Sequence, residues 1–388
     1  MQHIQQSPTE QAFVQSPYPF YDRARALGDL VWWDDYAMPM ATSARAVNAL
    51  LRDRRFGREP VEPPDIPAHL APFYAVEAHS MLELEPPRHT RLRGLVLRAF
   101  TSRRITALAP EIDALSHSLI DTFPAGEFDL LPAFARQLPV IVIARLLGVP
   151  ETMTDQLLDW SNAMVRVYMA SRTRADEDAA SRAAGDFSAF LRTYVEHRRA
   201  DPRDDLITSL IAAEEGGEKL STDELITTCI LLLNAGHEAT VHAIGIAVKT
   251  LLEQGHIAQP DGIDTLVEET LRFDPPLHLF TRFTYETVHI HGHTFRRGDQ
   301  VGLLLASANR DPGFVSDPDR FDPARPIKPN ASFGAGLHFC VGAPLARLEM
   351  TRALPILFAR CPDLALAGPP VFADTFHFHG LKHLMVHR

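Results

Sequence analysis

The sequence predicts a mostly helical α+β fold built as one domain, residues 1–388, and three observations carry that reading. Apolar residues recur at helical spacing through most of the first 260 positions. After Pro275-Pro276 the texture changes to short alternating runs, and no linker-like segment separates the two regions. Residues 43–51, 86–100, 110–123 and 134–147 each show the helical period, with Pro- and Gly-containing breaks between them. Two polar–apolar stretches follow, at about 152–170 and 175–200. Ser221-Thr-Asp-Glu224 is a capping box, in which a Ser hydroxyl and a Glu carboxylate satisfy amides at a helix start. From there the helical pattern runs to about Gln254, interrupted by Gly236 but by no proline. Some ~32 residues at a helical rise make a rod of roughly 48 Å, long enough to cross a whole domain.

Beyond the double proline, residues 283–289, 290–295 and 300–305 read as short strands that turn at Gly292 and Gly298. Residues 310–330 are dense in Pro, Asp and Arg and read as a long loop without periodicity. A helix over 344–360 opens on Ala-Pro, which suits a first turn, and residues 362–388 read as strand hairpins.

Composition excludes several function classes. With 46% hydrophobic and 22% charged residues the chain is globular with ample core. Its 38 Lys and Arg against 49 Asp and Glu give a net charge of −11, so overall positive charge does not direct it to nucleic acid. Three cysteines, Cys229, Cys340 and Cys361, form no disulfide framework and no CxxC pair. The first residues lack a basic and then apolar leader, and no run approaches the ~18 apolar residues of a membrane span. These features predict a soluble cytoplasmic protein with no membrane partner.

The residues that carry chemistry begin with Phe333-Gly-Ala-Gly336-Leu-His338-Phe-Cys340-Val-Gly342. Glycines let the backbone come close to a flat ligand, and a helix start just after the cysteine favours thiolate over thiol. A single thiolate fixed in this way is what an axial iron ligand in haem-thiolate chemistry requires. Cys229 and Cys361 sit in apolar helical contexts and read as structural.

At this loop the chain resembles the cytochrome P450 family, specifically its soluble bacterial members. The signature F-x-x-G-x-x-x-C-x-G is met at Phe333, Gly336, Cys340 and Gly342, and four further matches occur in the family's order. The resemblance implies haem b held by Cys340 as metal ligand, a mostly helical P450 fold with small sheets and a long helix over the haem, and monooxygenase activity. The second match is Glu269-Thr-Leu-Arg272, the family's E-x-x-R, and the third is residues 318–325, ending in Arg325. The resemblance implies that Arg325 docks on Glu269 and Arg272 and pins the irregular loop, a structural role. The fourth is Pro86-Pro-Arg-His89-Thr-Arg-Leu-Arg93, in which His89 and Arg93 share a helix face. By resemblance these two, with Arg282 and His338, hold haem propionates, and Phe333, Gly334 and Gly342 shape the cofactor-binding loop.

The fifth match, Ala235-Gly236-His237-Glu238-Ala239-Thr240, departs from the family's oxygen-groove motif. The position after the acid, normally Thr, is Ala239. Thr240 lies about 100° away around a helix and does not replace that hydroxyl in an unperturbed one. Dioxygen activation consumes protons that a positioned donor must deliver. Glu238 is the expected source; the substrate's own polar group or Thr240 through a local widening at Gly236 supplies the missing hydroxyl, or turnover leaks peroxide.

The resemblance places substrate against Leu231, Asn234 and Ala235 of the long helix, against Leu277, His278 and Leu279, and against a C-terminal hairpin near Thr375, Phe376 and His377. Residues 74–81 form a cover. Arg91, Arg98, Arg103, Arg104 and Arg347 form the basic dock expected for an acidic ferredoxin, supplied in turn by a ferredoxin reductase. No G-x-G-x-x-G follows a strand, so electrons come through these separate partners. Two other readings stand beside this one: a peroxide-driven haem oxidase, which Ala239 invites, and a non-catalytic haem or partner-binding protein of the same fold. Of the 18 histidines, His289 and His291 share a strand face but lack the further ligands that zinc needs.

Overall fold

The computed structural model describes residues 1–169, 172–215, 217–376 and 378–388. Residue 170, at the edge of one expected helix, and His377, placed by expectation in the pocket, lie outside these described residues. The chain forms two compact units. One comprises Met1–Glu62, Glu111–Arg136 and Ala239–Arg388, and the other Pro63–Pro110 and Gln137–Glu238.

The first unit is built on a six-stranded sheet in the order Gln2–Ile4, Leu30–Trp33, Met38–Ala41, Gln300–Leu304, Leu279–Thr284, Phe56–Gly57. Met38–Ala41 pairs parallel with Gln300–Leu304, which pairs antiparallel with Leu279–Thr284. Gly302 lies opposite Met40 in that register, and a Cβ there would stand 2.1 Å from the Met40 sulfur, so only glycine lets the thioether fill the site. Against the sheet packs a core of Val47, Leu50, Phe56, Phe295, Val301 and Leu303. Phe13, Phe20, Tyr21 and Trp33 form a second, largely aromatic core.

Strand boundaries differ from expectation. The run read as 283–289 divides into the end of Leu279–Thr284 and the separate Val288–Ile290, which pairs with His293–Phe295. Partner strands rather than local pattern set these limits, because the ladder to Gln300–Leu304 starts at Leu279. The three N-terminal strands, unforeseen in a region read as helix, are each three or four residues long.

The second unit is helical. His89 and Arg93 lie on Arg88–Ala99, and the 27-residue helix Arg174–Ala200 starts at a capping box made by Thr173 and Asp176. A buried pair, Arg198 Nε to Asp205 Oδ2 at 2.5 Å, is completed by Arg198 donating to the Gly148 carbonyl at 2.9 Å.

The long helix runs Thr222–Gln254, 33 residues, and the chain passes from one unit to the other within it. Its start is the foreseen capping box: the Glu224 amide donates to Ser221 Oγ at 3.2 Å, and the Ser221 amide to Glu224 at 2.9 Å. Among the described residues this is the one helix long and apolar enough to cross a membrane, and it is mostly buried inside the protein.

Candidate functional site

Cys340 is exposed, whereas Cys229 and Cys361 are buried, and burial pushes the Cys229 thiol up to about 12. The Cys340 amide donates to the Phe333 carbonyl at 3.0 Å, which closes the loop and presents the sulfur three residues before the helix Ala343–Arg360. Gly334 and Gly336 adopt φ of +67° and +70°. At Gly336 a Cβ would meet the Leu51 carbonyl at 2.4 Å, so the loop is seated directly on backbone. Arg347 lies 4.4 Å over the Phe333 ring and pairs with Glu268 at 3.2 Å. An exposed thiolate-forming residue, glycines that only a side-chain-free backbone satisfies, and a helix start make a donor set that fits a haem iron.

Arg282, on Leu279–Thr284, is 2% exposed and donates to the Thr281 carbonyl at 2.8 Å. A buried guanidinium of this kind fits a cofactor carboxylate. His338 is half-buried in the cysteine loop. In the second unit His89 is buried and Arg93 half-buried on one helix.

Beneath the loop, Arg272 binds Glu269 through two parallel bonds of 2.7 and 2.8 Å, and Arg325 Nε donates to Glu269 at 3.4 Å. The same two arginines gather the irregular segment. Arg272 donates to the carbonyls of Asn309 and Pro318, and Arg325 to those of Ser316, Asp317 and Arg320. Backbone oxygens with no sheet or helix partner are thereby satisfied, which is how a loop of this length stays fixed.

The long helix is α-helical throughout Thr222–Gln254, with no widening at Gly236. Gly236 is not forced by space, since a Cβ there would sit at ordinary distance, 3.5 Å, from Ile143. Leu231, Asn234, Ala235, Glu238, Ala239 and His242 are exposed or half-buried, three or four residues apart, while their neighbours are mostly buried. That stripe is one accessible helix face. Thr240 is buried, at 5% exposure, off that face. His237 is buried, its Nδ1 is 2.9 Å from the Leu233 carbonyl, and its Nε2 is 3.5 Å from Glu238.

Two residues expected at the pocket are drawn into protein contacts. His278 is fully buried and bonded to the Tyr21 hydroxyl at 2.8 Å, and Phe376 packs 4.8 Å from Phe13 in the aromatic core. Burial of the imidazole and of the ring beside the N-terminal helices is the reason. Leu277 stays half-buried and forms an isolated antiparallel bridge with Phe378, whose ring lies 6.4 Å from that of His242. Sequence reading missed Phe378 and His242.

The basic patch is also altered. Arg91 is held by Glu224 and Glu218, Arg104 by Asp204 at 2.9 Å, and Arg347 by Glu268, so these cations are already paired. Beside the cysteine loop a groove of about 570 Å³ is lined by Arg52, Lys328, Glu268, Phe339 and Arg347. Phe339 and Ile327 expose 39% and 53% of their surface there. His289 and His291 part company: the first bonds Thr294 and the second Asp29, each at 3.0 Å.

Comparison with known proteins matches residues 263–362 to the family model described as Cytochrome P450. The chain is 36% identical to the Cytochrome P450 monooxygenase PikC of Streptomyces venezuelae, over 97% of this chain and 92% of that protein. It is 39% identical to the Vitamin D(3) 25-hydroxylase of Pseudonocardia autotrophica, over 96% and 94%. The solved structure of P450BioI in complex with hexadec-9Z-enoic acid ligated acyl carrier protein superposes with a TM-score of 0.91 at 34% identity, covering 98% of this chain and 100% of that one.

Proposed function

The chain belongs to the cytochrome P450 family, and from that premise we propose a monooxygenase that oxidises a small, mainly apolar organic molecule with electrons from a separate ferredoxin and ferredoxin reductase. As a family member it is an oxidoreductase that binds haem b. The cofactor supplies reductive activation of dioxygen when bound.

The chain's own residues divide the remaining work. Cys340 would supply the thiolate that holds the haem iron, and Phe333, Gly334 and Gly342 would shape its loop. By the family resemblance, Arg282, His338, His89 and Arg93 would hold the cofactor's carboxylates. Glu269, Arg272 and Arg325 would keep the irregular segment from Asn309 to Arg320 fixed. Leu231, Asn234, Ala235 and Leu277 face the substrate, joined by His242 and Phe378. Glu238 holds the proton. The helix carries no widening and Thr240 is buried, which supports a polar group of the substrate standing in for the hydroxyl missing at Ala239, with leakage of peroxide as the other outcome. The apolar class is supported by the names of two relatives, one a vitamin D(3) hydroxylase and one solved with a hexadecenoic acid. For the electron donor, the groove with Arg52, Lys328 and the exposed Phe339 offers mixed charged and apolar contact beside the sulfur. The cellular site proposed is the cytoplasm.

The observation that carries this reading is one exposed thiol in a glycine-shaped loop at a helix start. The reduced, CO-bound spectrum tests it. Wild type is expected to show the thiolate–carbonyl Soret band and Cys340→Ser to lose it; retention in the variant would sink the assignment. A second oxidant, hydrogen peroxide, is favoured by the same Ala239, and product yield with peroxide against the ferredoxin chain separates the two.

A further inference from the structure

A buried polar cluster lies outside the groups assigned above. Asp274 ends the helix Ile263–Phe273 and is 4% exposed. Its Oδ1 accepts a bond from the Tyr18 hydroxyl at 2.6 Å, and its Oδ2 one from Lys249 Nζ at 3.3 Å. His379 Nε2 stands 3.7 Å from Oδ1, and the His379 ring stacks on Phe372 with centroids 3.8 Å apart. The His278 ring lies 4.5 Å from that of His379, and its Nε2 is buried with no hydrogen-bond partner. Arg310 covers the Tyr18 ring at 3.5 Å.

Ligating atoms of Asp274, His278 and His379 fall within 4.8 Å of one another, a spacing that a metal ion bridges. The surrounding charge speaks against a dication. Both Asp274 oxygens are already taken by Tyr18 and Lys249, and Lys249 and Arg310 set two cations against the cluster. Tyr18, Lys249, Asp274 and His379 instead come from four segments: an N-terminal helix, the long helix, the end of the E-x-x-R helix and the C-terminal turn. Each is a foot by which one segment is held.

Leu277 and Phe378, the bridged pair, are half-buried, and the residues that follow them, His278 and His379, are buried in the cluster. Successive extended residues point to opposite sides, so anchoring the histidines turns Leu277 and Phe378 the other way. The His379 amide donates to the Pro276 carbonyl at 2.8 Å, and Gly380 lies so close to His242 that a Cβ would be 2.2 Å from its ring.

We propose that Asp274 is a positioning residue: through Tyr18, Lys249 and His379 it fixes the register of Leu277 against Phe378, and thereby sets affinity for apolar ligands that it never touches. The proposal rests on the P450 reading for what that wall faces.

Two measurements test it on the full-length holoenzyme, using 4-phenylimidazole as probe. Amide hydrogen exchange at His379 and Gly380 should quicken about tenfold in Asp274→Asn, as expected when a charge-assisted bond is lost. The dissociation constant read from the probe's Soret shift should rise by a similar factor while the thiolate–carbonyl band is retained. Tyr18→Phe, which leaves the Asp274–Lys249 pair intact, guards against a misfolded Asp274→Asn and should show the same direction more weakly. His379→Gln, which keeps a polar side chain beside Asp274, should retain more probe affinity than His379→Leu. Unchanged exchange and affinity in Asp274→Asn and Tyr18→Phe overturn the proposal. Should wild type show no thiolate–carbonyl band, the P450 reading fails, and exchange at His379 still decides the tether.

Discussion

Glu349, on the helix that follows Cys340, is 1% exposed, and neither of its carboxyl oxygens has a hydrogen-bond partner. Burial alone holds its carboxyl well above the usual carboxylate range, so the folded protein keeps it neutral where the unfolded chain ionises it. For an acid shifted upward, stability is full below the unfolded pKa and is lost as pH rises. Glu349→Met removes the buried polar group at similar length. It should gain about 1–3 kcal/mol at pH 7, less near pH 4.5, by chemical denaturation at the two pH values. An equal gain at both would show that ionisation is not the cause. Nothing in the sequence distinguished this glutamate from the surface acids around it. Cys340, by contrast, stood out because its glycines and helix start are adjacent in sequence.

The long helix shows why some features were legible and others were not. Its capping box and its length are written in local residue choice, and both appear where the pattern set them. Helices at 43–51 and 175–200 likewise match Ala44–Arg52 and Arg174–Ala200, each with a side-chain cap at its start. Short strands are another matter. Leu30–Trp33 and Met38–Ala41 exist because Gln300–Leu304 completes their sheet from far along the chain, and no local period announces that. The site divides the same way. The E-x-x-R pair is local, but the inward turn of His278 and Phe376 follows from packing against Tyr21 and Phe13. On the helix itself, Ala239→Thr should cost less than about 0.7 kcal/mol in propensity. If the substrate's polar group occupies that gap, product per NAD(P)H should fall about tenfold, the weight of one displaced hydrogen bond, with the haem spectrum intact. Improved coupling would show instead that the native relay lacks a hydroxyl.

Across the whole molecule the acid side is the weak one. Burial lowers the His379 pKa to about 4, so the unfolded chain takes up a proton that the folded one refuses. Stability from this group is therefore full above about pH 6.5 and drains away as pH falls toward 4, by about 3 kcal/mol in all. Asp29, Asp129 and Asp223, held below their ordinary range by histidine, arginine and backbone donors, lose their contribution further down, as pH falls through the carboxylate range. Urea midpoints measured from pH 7 to 4 should decline, with a shallower slope in His379→Gln; an identical slope would place the acid sensitivity elsewhere. The sheet order carries a last consequence. Because Gln300–Leu304 lies between Met38–Ala41 and Leu279–Thr284, the first hairpin keeps a bare edge until the ribosome has synthesised more than three hundred residues. Throughout translation the nascent chain must shield that edge from its neighbours on the polysome.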